Sequence, residues 1–188
     1  MDTIREEEYK GLTIKVYPDE EGDNNPREWE NLGTMVCWHR RYNLGDEQSR
    51  CDPQEYVDSV IGDGFMLPLY LYDHSGISIS CASFVGRAQH AEWDSGQVGY
   101  IYVSKDKVRQ EYKVKRISKR VEKLAYEVLR QEVQTYDQFL TGDVYGFVVE
   151  DQDENNLDSC WGFFGLDDCI AAAKEQADYI ASQPDYTI

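Results

Sequence analysis

The stretch "LPLYLYDHSGISIS", residues 67–80, sets the architecture of the middle of this chain. Two apolar, strand-like runs flank a small polar cluster, Asp73-His74-Ser75-Gly76. Apolar runs of strand length bounded by turn residues read as strands, and so short a connection reads as a hairpin. A hairpin joins antiparallel neighbours. "AEWDSGQVGYIYV", residues 91–103, repeats the theme: Trp93-Asp94-Ser95-Gly96-Gln97 leads into a further strand at 96–104.

Working outward toward the N-terminus, "GLTIKVY" (11–17) alternates apolar and polar residues and reads as a first strand. "TMVCWHRRY" (34–42) reads as a second, after an acidic loop with Pro, Gly and Asn as breakers. "DPQEYVDSVIG" offers Asp52 as N-cap, Pro53 at the first helical position and Gly62 at its end, the marks of a short helix. Toward the C-terminus, Ser104 caps a helix starting at Lys105, and residues 114–140 give the clearest helix of the chain. There Ile117, Val121, Leu124, Val128, Tyr136 and Leu140 recur at three- and four-residue spacing and define the expected buried stripe. Gly142 ends that helix. "DVYGFVVED" and "DSCWGFFG" form a second hairpin around "QDENNL", and residues 166–183 form a last amphipathic helix. The predicted order is β-β-α-β-β-β-α-β-β-α. That order implies a single α+β domain over residues 1–188, a largely antiparallel sheet with helices packed on one face, and a loose tail at 1–8.

Composition bounds the class. With 41% hydrophobic and 13% aromatic residues, the 188-residue chain can bury a core without disulfides or a structural metal. Its five cysteines, Cys37, Cys51, Cys81, Cys160 and Cys169, are widely spaced, and no CxxC occurs. They read as small buried hydrophobes in a reducing compartment, with Cys37 and Cys160 each beside a Trp in a strand-like run. The acidic start lacks a signal-peptide core, and no apolar run reaches the roughly 20 residues needed to span a bilayer. The expectation is a soluble cytosolic protein with no membrane partner.

Charge is the strongest compositional signal. Thirty-six acids against 19 bases give a net charge of −17, unevenly placed. Residues 1–30 hold ten acids and four bases, and residues 141–188 hold eleven acids and one base, Lys174. Residues 105–130 reverse the balance with ten bases and four acids. Such a field disfavours direct nucleic-acid binding and attracts basic proteins, many of which bind nucleic acids themselves. An array of carboxylates can occupy a groove built for phosphates. Plain solubility explains an acidic composition as well. The basic segment, with Tyr112 interleaved, could contact a nucleotide or an acidic partner, neutralise the chain's own acidic flanks, or support a homodimer.

The polar clusters raise chemistry directly. Nucleophilic catalysis needs Ser or Cys hydrogen-bonded to His, with a carboxylate orienting the His. Ser75 or Ser95, His39 or His74, and Asp73 or Asp94 supply the parts, but "DHSGI" and "WDSGQ" lack the first Gly of GxSxG. Asp, Ser and Gly before a strand are also ordinary turn residues. His39, His74 and His90 show no chelating spacing, and "DQDENNLD" (151–158) lacks the central Gly and final Glu of an EF-hand. No phosphate-cradling GxxxxGK[ST] or GxGxxG occurs. No metal and no cofactor are expected.

The pieces "NPREWENLGTMVCWHRRYNLGD", "LPLYLYDHSG", "WDSGQVGYIYV", "YDQFLTGDVYGF" and "DSCWGFFG" resemble those of a group of small acidic proteins carried by phages, plasmids and conjugative elements. The resemblance covers the chain from about Tyr9 to about Ala173. It brings no established activity, so no functional residue is carried over. It implies an accessory protein of a mobile element in a bacterial cytoplasm, where small acidic proteins blunt restriction or CRISPR enzymes by occupying nucleic-acid grooves.

The leading expectation is therefore a non-enzymatic anti-defence inhibitor, of anti-restriction or anti-CRISPR type. It would bind a basic, nucleic-acid-binding host protein through carboxylates at Glu20, Glu21, Asp23, Asp151, Asp153 and Glu154, aided by the C-terminal helix. The alternative is a nucleotide-signal-binding or hydrolytic pocket built from Trp38, His39, Arg41, His74, Asp94 and Gln97. Convergence of those six side chains in one deep pocket would favour the alternative.

Overall fold

Residues 67–80 form the expected hairpin, and the remaining elements extend from it. The computed structural model describes residues 2–20 and 25–183. In chain order these hold β1 (Arg5–Tyr9), β2 (Leu12–Pro18), a 3-10 turn (Pro26–Glu28), β3 (Thr34–Cys37), β4 (Glu47–Gln48) and α1 (Pro53–Val60). Next come β5 (Gly64–Asp73), β6 (Ile77–Ser80), α2 (Ala91–Asp94), β7 (Ser95–Ser104) and α3 (Lys105–Glu111). The chain continues with α4 (Lys119–Thr141), β8 (Val144–Glu150), β9 (Asn156–Phe164) and α5 (Leu166–Ala181). It is an α+β fold with mostly antiparallel pairing and helices packed on its sheets. The one sheet expected from the sequence is two: β1-β2-β8-β9 and β4-β3-β7-β5-β6. Each belongs to its own compact unit, one made of residues 1–24 and 142–188, the other of 25–141.

The four-stranded unit joins the two ends of the chain. Ile14 lies opposite Val149 and Val16 opposite Phe147 in the β2–β8 pairing. Leu12, Ile14 and Val16 alternate into the core beside Phe147 and Val149. From α5, Cys169, Ile170, Ala173, Ala177 and Ile180 close over them. Two of the five are alanines, and side chains this small let a helix lie close on a sheet. Residues 5–8, expected to belong to a loose tail, instead pair with β2 across a tight turn. Lys10 and Gly11 make that turn, at φ 52° and 79°. β1 reads "REEEY", so no apolar alternation announces it; pairing with β2, Tyr9 packed on the core and Glu7 bonded to Lys174 hold it.

The five-stranded unit packs α4 on one face. Its core includes Met35, Leu69, Ile101 and Val103 from the strands and Ala125, Leu129, Val133 and Tyr136 from the helix. The buried stripe thus differs from the expected one. Tyr136 belongs to it, while Leu124 is 36% exposed and Ile117, Val121, Val128 and Leu140 only flank the core. Gly33 explains the rotation: a Cβ there would sit 2.5 Å from Leu129 Cδ2, so the helix rests where Gly33 leaves room. α4 also starts later than expected, at Lys119, with Ser118 Oγ accepting the Val121 N–H. The caps read from sequence are in place: Asp52 accepts from Gln54 N at 2.8 Å, and Ser104 from Lys107 N at 3.2 Å.

Candidate functional site

The Asp73-His74 turn gathers several of the sequence-predicted pocket residues. β3 stops at Cys37, five residues short of its expected end, because His39 organises a turn. His39 Nδ1 accepts the backbone N–H groups of Arg41 at 3.3 Å and Tyr42 at 3.1 Å. The His39 ring stacks on Tyr42, 5.0 Å between centroids. Tyr42 donates its hydroxyl to Asp73 Oδ1 at 3.2 Å, and Arg41 pairs with Asp73 Oδ2. A second group forms on His74. Its Nδ1 lies 2.8 Å from Asp94 Oδ2, and its ring stacks on Tyr72 and approaches His90.

Two of the predicted pocket residues are committed elsewhere. The Trp38 indole N–H donates to the Cys51 carbonyl at 2.7 Å, and its ring packs edge-on against Tyr56 and Tyr100. The Gln97 amide reaches back to the Gly99 carbonyl at 3.5 Å. For hydrolysis, His74 with Asp94 offers two of three parts. Ser95 does not complete them, because its hydroxyl donates to the Ala91 carbonyl at 2.5 Å. Ser75 sits at φ 61° in an exposed turn.

A buried ionic cluster lies in the same unit and serves the fold. Arg27, 8% exposed, donates Nε to Asp46 Oδ1 at 2.9 Å and Nη2 to Asp46 Oδ2 at 2.6 Å. It also reaches Glu132 Oε2 at 3.2 Å and the Gly33 carbonyl at 2.8 Å. Asp46 in turn accepts from Met35 N, and Glu132 from Leu32 N and Gly33 N. Burial works against the Arg27 charge, but Asp46 and then Glu132 outweigh it and hold its pKa above the ordinary value. Every oxygen of the pair is used by the chain itself. The cluster ties residues 26–33 and the loop before β4 to α4.

The other unit carries the charge. It holds nineteen carboxylates against four bases, a net −15, whereas residues 25–141 hold seventeen against fifteen, a net −2. Its four bases are already engaged by its own carboxylates. Lys10 pairs with Asp178 at 2.6 Å, Lys15 with Glu150 at 2.7 Å, and both Arg5 and Lys174 with Glu7 at 2.8 Å. The Lys174 hydrogen bond, then Arg5, holds the Glu7 carboxyl below its usual range against the effect of burial. The Lys10 hydrogen bond does the same for Asp178. The rest of the negative field has no counter-charge of its own within this unit.

Of the six predicted partner-binding carboxylates, Glu20 is exposed, and Glu21 and Asp23 lie outside the described residues. Asp151, Asp153 and Glu154 share the β8–β9 turn, with Asp153 and Glu154 exposed. Asp151 builds that turn: it accepts the Asn155 side-chain amide and the backbone N–H groups of Asp153 and Asn155, each at 2.9 Å. These bonds, the Asn155 side chain first, hold its carboxyl below the ordinary value. On α5, Asp167, Asp168, Glu175 and Asp178 are exposed as well.

Sequence reasoning missed Trp161. Strand alternation puts Tyr17, opposite Gly146, on the sheet face turned away from the buried Val16 and Phe147. Trp161 lies over Gly146, where a Cβ would meet its ring at 2.1 Å, and its centroid is 6.2 Å from that of Tyr17. It remains 42% exposed. A register shift in β9 at this point re-aims the side chain. The Gly facing a Trp across a hairpin was the available signal, hidden until the strands were in register.

The cysteines divide. Cys37 and Cys169 are buried, with burial pushing their thiols up to about 12 and about 11, while Cys51 and Cys160 are exposed. Cys160 therefore departs from its expected core position. Among the described residues, no group of three or more His, Cys, Asp or Glu is placed to hold a metal ion, and no helix is long and apolar enough to cross a membrane. Comparison with known protein families, with curated proteins and with solved structures finds no match.

Proposed function

We propose that this chain is a charge-segregated binding protein whose acidic unit docks on a basic, nucleic-acid-binding protein and competes there with nucleic acid. One observation carries the reading. Residues 1–24 and 142–188 hold −15 of the net −17, with all four of their bases already paired internally. A field of that kind steers basic partners and favours occupation of a phosphate-binding groove. Trp161 beside Tyr17 supplies what charge alone lacks, an aromatic anchor of the type that dominates interface energetics. In the setting implied by the resemblance, the partner is a host restriction or CRISPR enzyme, and the role is its inhibition.

The test is plating of phage on cells that carry one defined restriction or CRISPR system and express this protein. The reading expects protection of incoming phage. Protection should be lost when Glu20, Glu21, Asp23, Asp151, Asp153 and Glu154 become their amides. Equal protection by that variant would refute it.

A second reading, a nucleotide-signal or hydrolytic site at the Asp73-His74 turn, draws on the His74–Asp94 contact. It requires a ligand whose binding is abolished by His74→Ala and Asp94→Asn.

A further inference from the structure

The five-stranded unit, nearly neutral overall, has its own charge anomaly. An open cleft of about 540 Å3 lies where β5 begins and where α3 hands over to α4. Lys105, Arg109, Lys115 and Arg116 line it, with Glu122 as the one carboxylate and Phe65 and Tyr126 among its apolar walls. We propose that this cleft binds a phosphorylated small anion of the di- or triphosphate class.

The fold makes little use of these cations. Lys105 Nζ donates to the Gly62 carbonyl at 2.5 Å, and Arg109 pairs with Asp106 one turn back on an exposed face. Lys115 and Arg116 are exposed and make no ion pair among the described residues. Their neighbours sharpen the point. Lys119 and Arg120 occupy the first turn of the 23-residue α4, where the helix dipole already concentrates positive potential. Stability alone favours acids at that end, and Glu122 is the only one in that turn. Local conflicts of this sort mark positions shaped by something other than folding.

The donor set fits phosphate. Two guanidinium groups offer planar forks for paired oxygens, and two ammonium groups add point charge. The cleft volume lies within the range of small-ligand sites. Phe65 and Tyr126 meet edge-to-face, 5.4 Å between centroids, and Arg130 sits 5.8 Å over the Tyr126 ring. Phe65 is buried and Tyr126 half-buried, so of the two Tyr126 is the one that offers surface to a base. The chain's net −17 works against association with a long polyanion.

Calorimetric titration of the full chain at physiological salt tests this, with inorganic triphosphate, ATP and a short DNA duplex as separate probes. One-to-one binding of triphosphate or ATP is expected, weakened at least tenfold by Lys115→Gln with Arg116→Gln. Lys123→Gln, outside the cleft, should change it less than threefold. Tighter binding of ATP than of triphosphate would assign the ligand to the nucleotides, and equal binding to simple polyphosphates. An unchanged melting temperature without ligand shows that the paired variant is folded; if it is not, Arg116→Lys replaces it, expected to keep the charge but lose several-fold in affinity. The proposal is overturned by no binding of either anion, by equal weakening in Lys123→Gln, or by tighter binding of DNA. It is also overturned by concentration-dependent self-association that Arg116→Gln abolishes, which would assign the cleft to the acidic unit of a second copy.

Discussion

Gly146 lies directly beneath Trp161. A Cβ at position 146 would come within 2.1 Å of the indole ring, so the glycine makes the room that the ring occupies. Trp161 thus packs on Gly146 and beside Tyr17 while 42% exposed, in the unit that carries most of the negative charge. An exposed Trp held in place brings contact area with little ordering cost.

Trp161→Ala should leave the protein folded and weaken partner binding by about 2 kcal/mol, roughly thirtyfold. Gly146→Val should displace the ring, red-shift its fluorescence and destabilise the acidic unit by about 1–3 kcal/mol. Urea melts read the stability and a competition assay the affinity. Equal loss of affinity and stability in Trp161→Ala would make the residue structural.

Arg27→Ala strands Asp46 and Glu132 at a part-buried site and removes a side chain that is 3% exposed. The expected cost is about 3–5 kcal/mol. Arg27→Lys should rescue only part of it, because an ammonium cannot reproduce the paired bonds to Asp46. Chemical denaturation checks both.

Glu7 gives the pH dependence its sign. Its folded carboxyl lies below the ordinary value of 4.5, so its stabilising effect is complete above that value and fades as pH falls through the depressed one. Glu7→Gln should lower stability at pH 7, by less than about 1 kcal/mol because the pair is partly exposed. The variant and the wild type should then converge as the medium is acidified. A gap that widens toward low pH would contradict the assignment.

Thiol labelling separates the five cysteines. Cys51 and Cys160 should react within the mixing time of a mildly alkaline disulfide reagent, while Cys37 and Cys169 should wait for unfolding. Cys81, half-buried and with its thiol raised by burial, should fall between.

Much of this fold was legible locally. The 67–80 hairpin, the Asp52 and Ser104 caps and the last helix all follow from turn chemistry and periodicity acting within a few residues. What failed was set at long range. The α4 stripe turned toward Ala125 and Leu129 because Gly33, about a hundred residues away, leaves room there. β1 is four charged residues and one tyrosine, and is set by its pairing with β2. The acidic ends were visible as counts, but their union follows from Ile14 facing Val149. Of the proposed pocket, Arg41 met Asp73, His39 reached it only through Tyr42, and His74 met Asp94, while Trp38 turned to the Cys51 carbonyl. Only strand order decides such meetings.

The central claim is that the acidic unit occupies a phosphate-binding surface. Its most direct measurement is fluorescence-anisotropy competition, in which the protein displaces labelled DNA from a purified restriction or CRISPR enzyme across a salt series. The account predicts displacement whose affinity falls steeply with salt and drops at least tenfold when Asp151, Asp153 and Glu154 are changed to their amides. Displacement that is indifferent both to salt and to these carboxylates would contradict it.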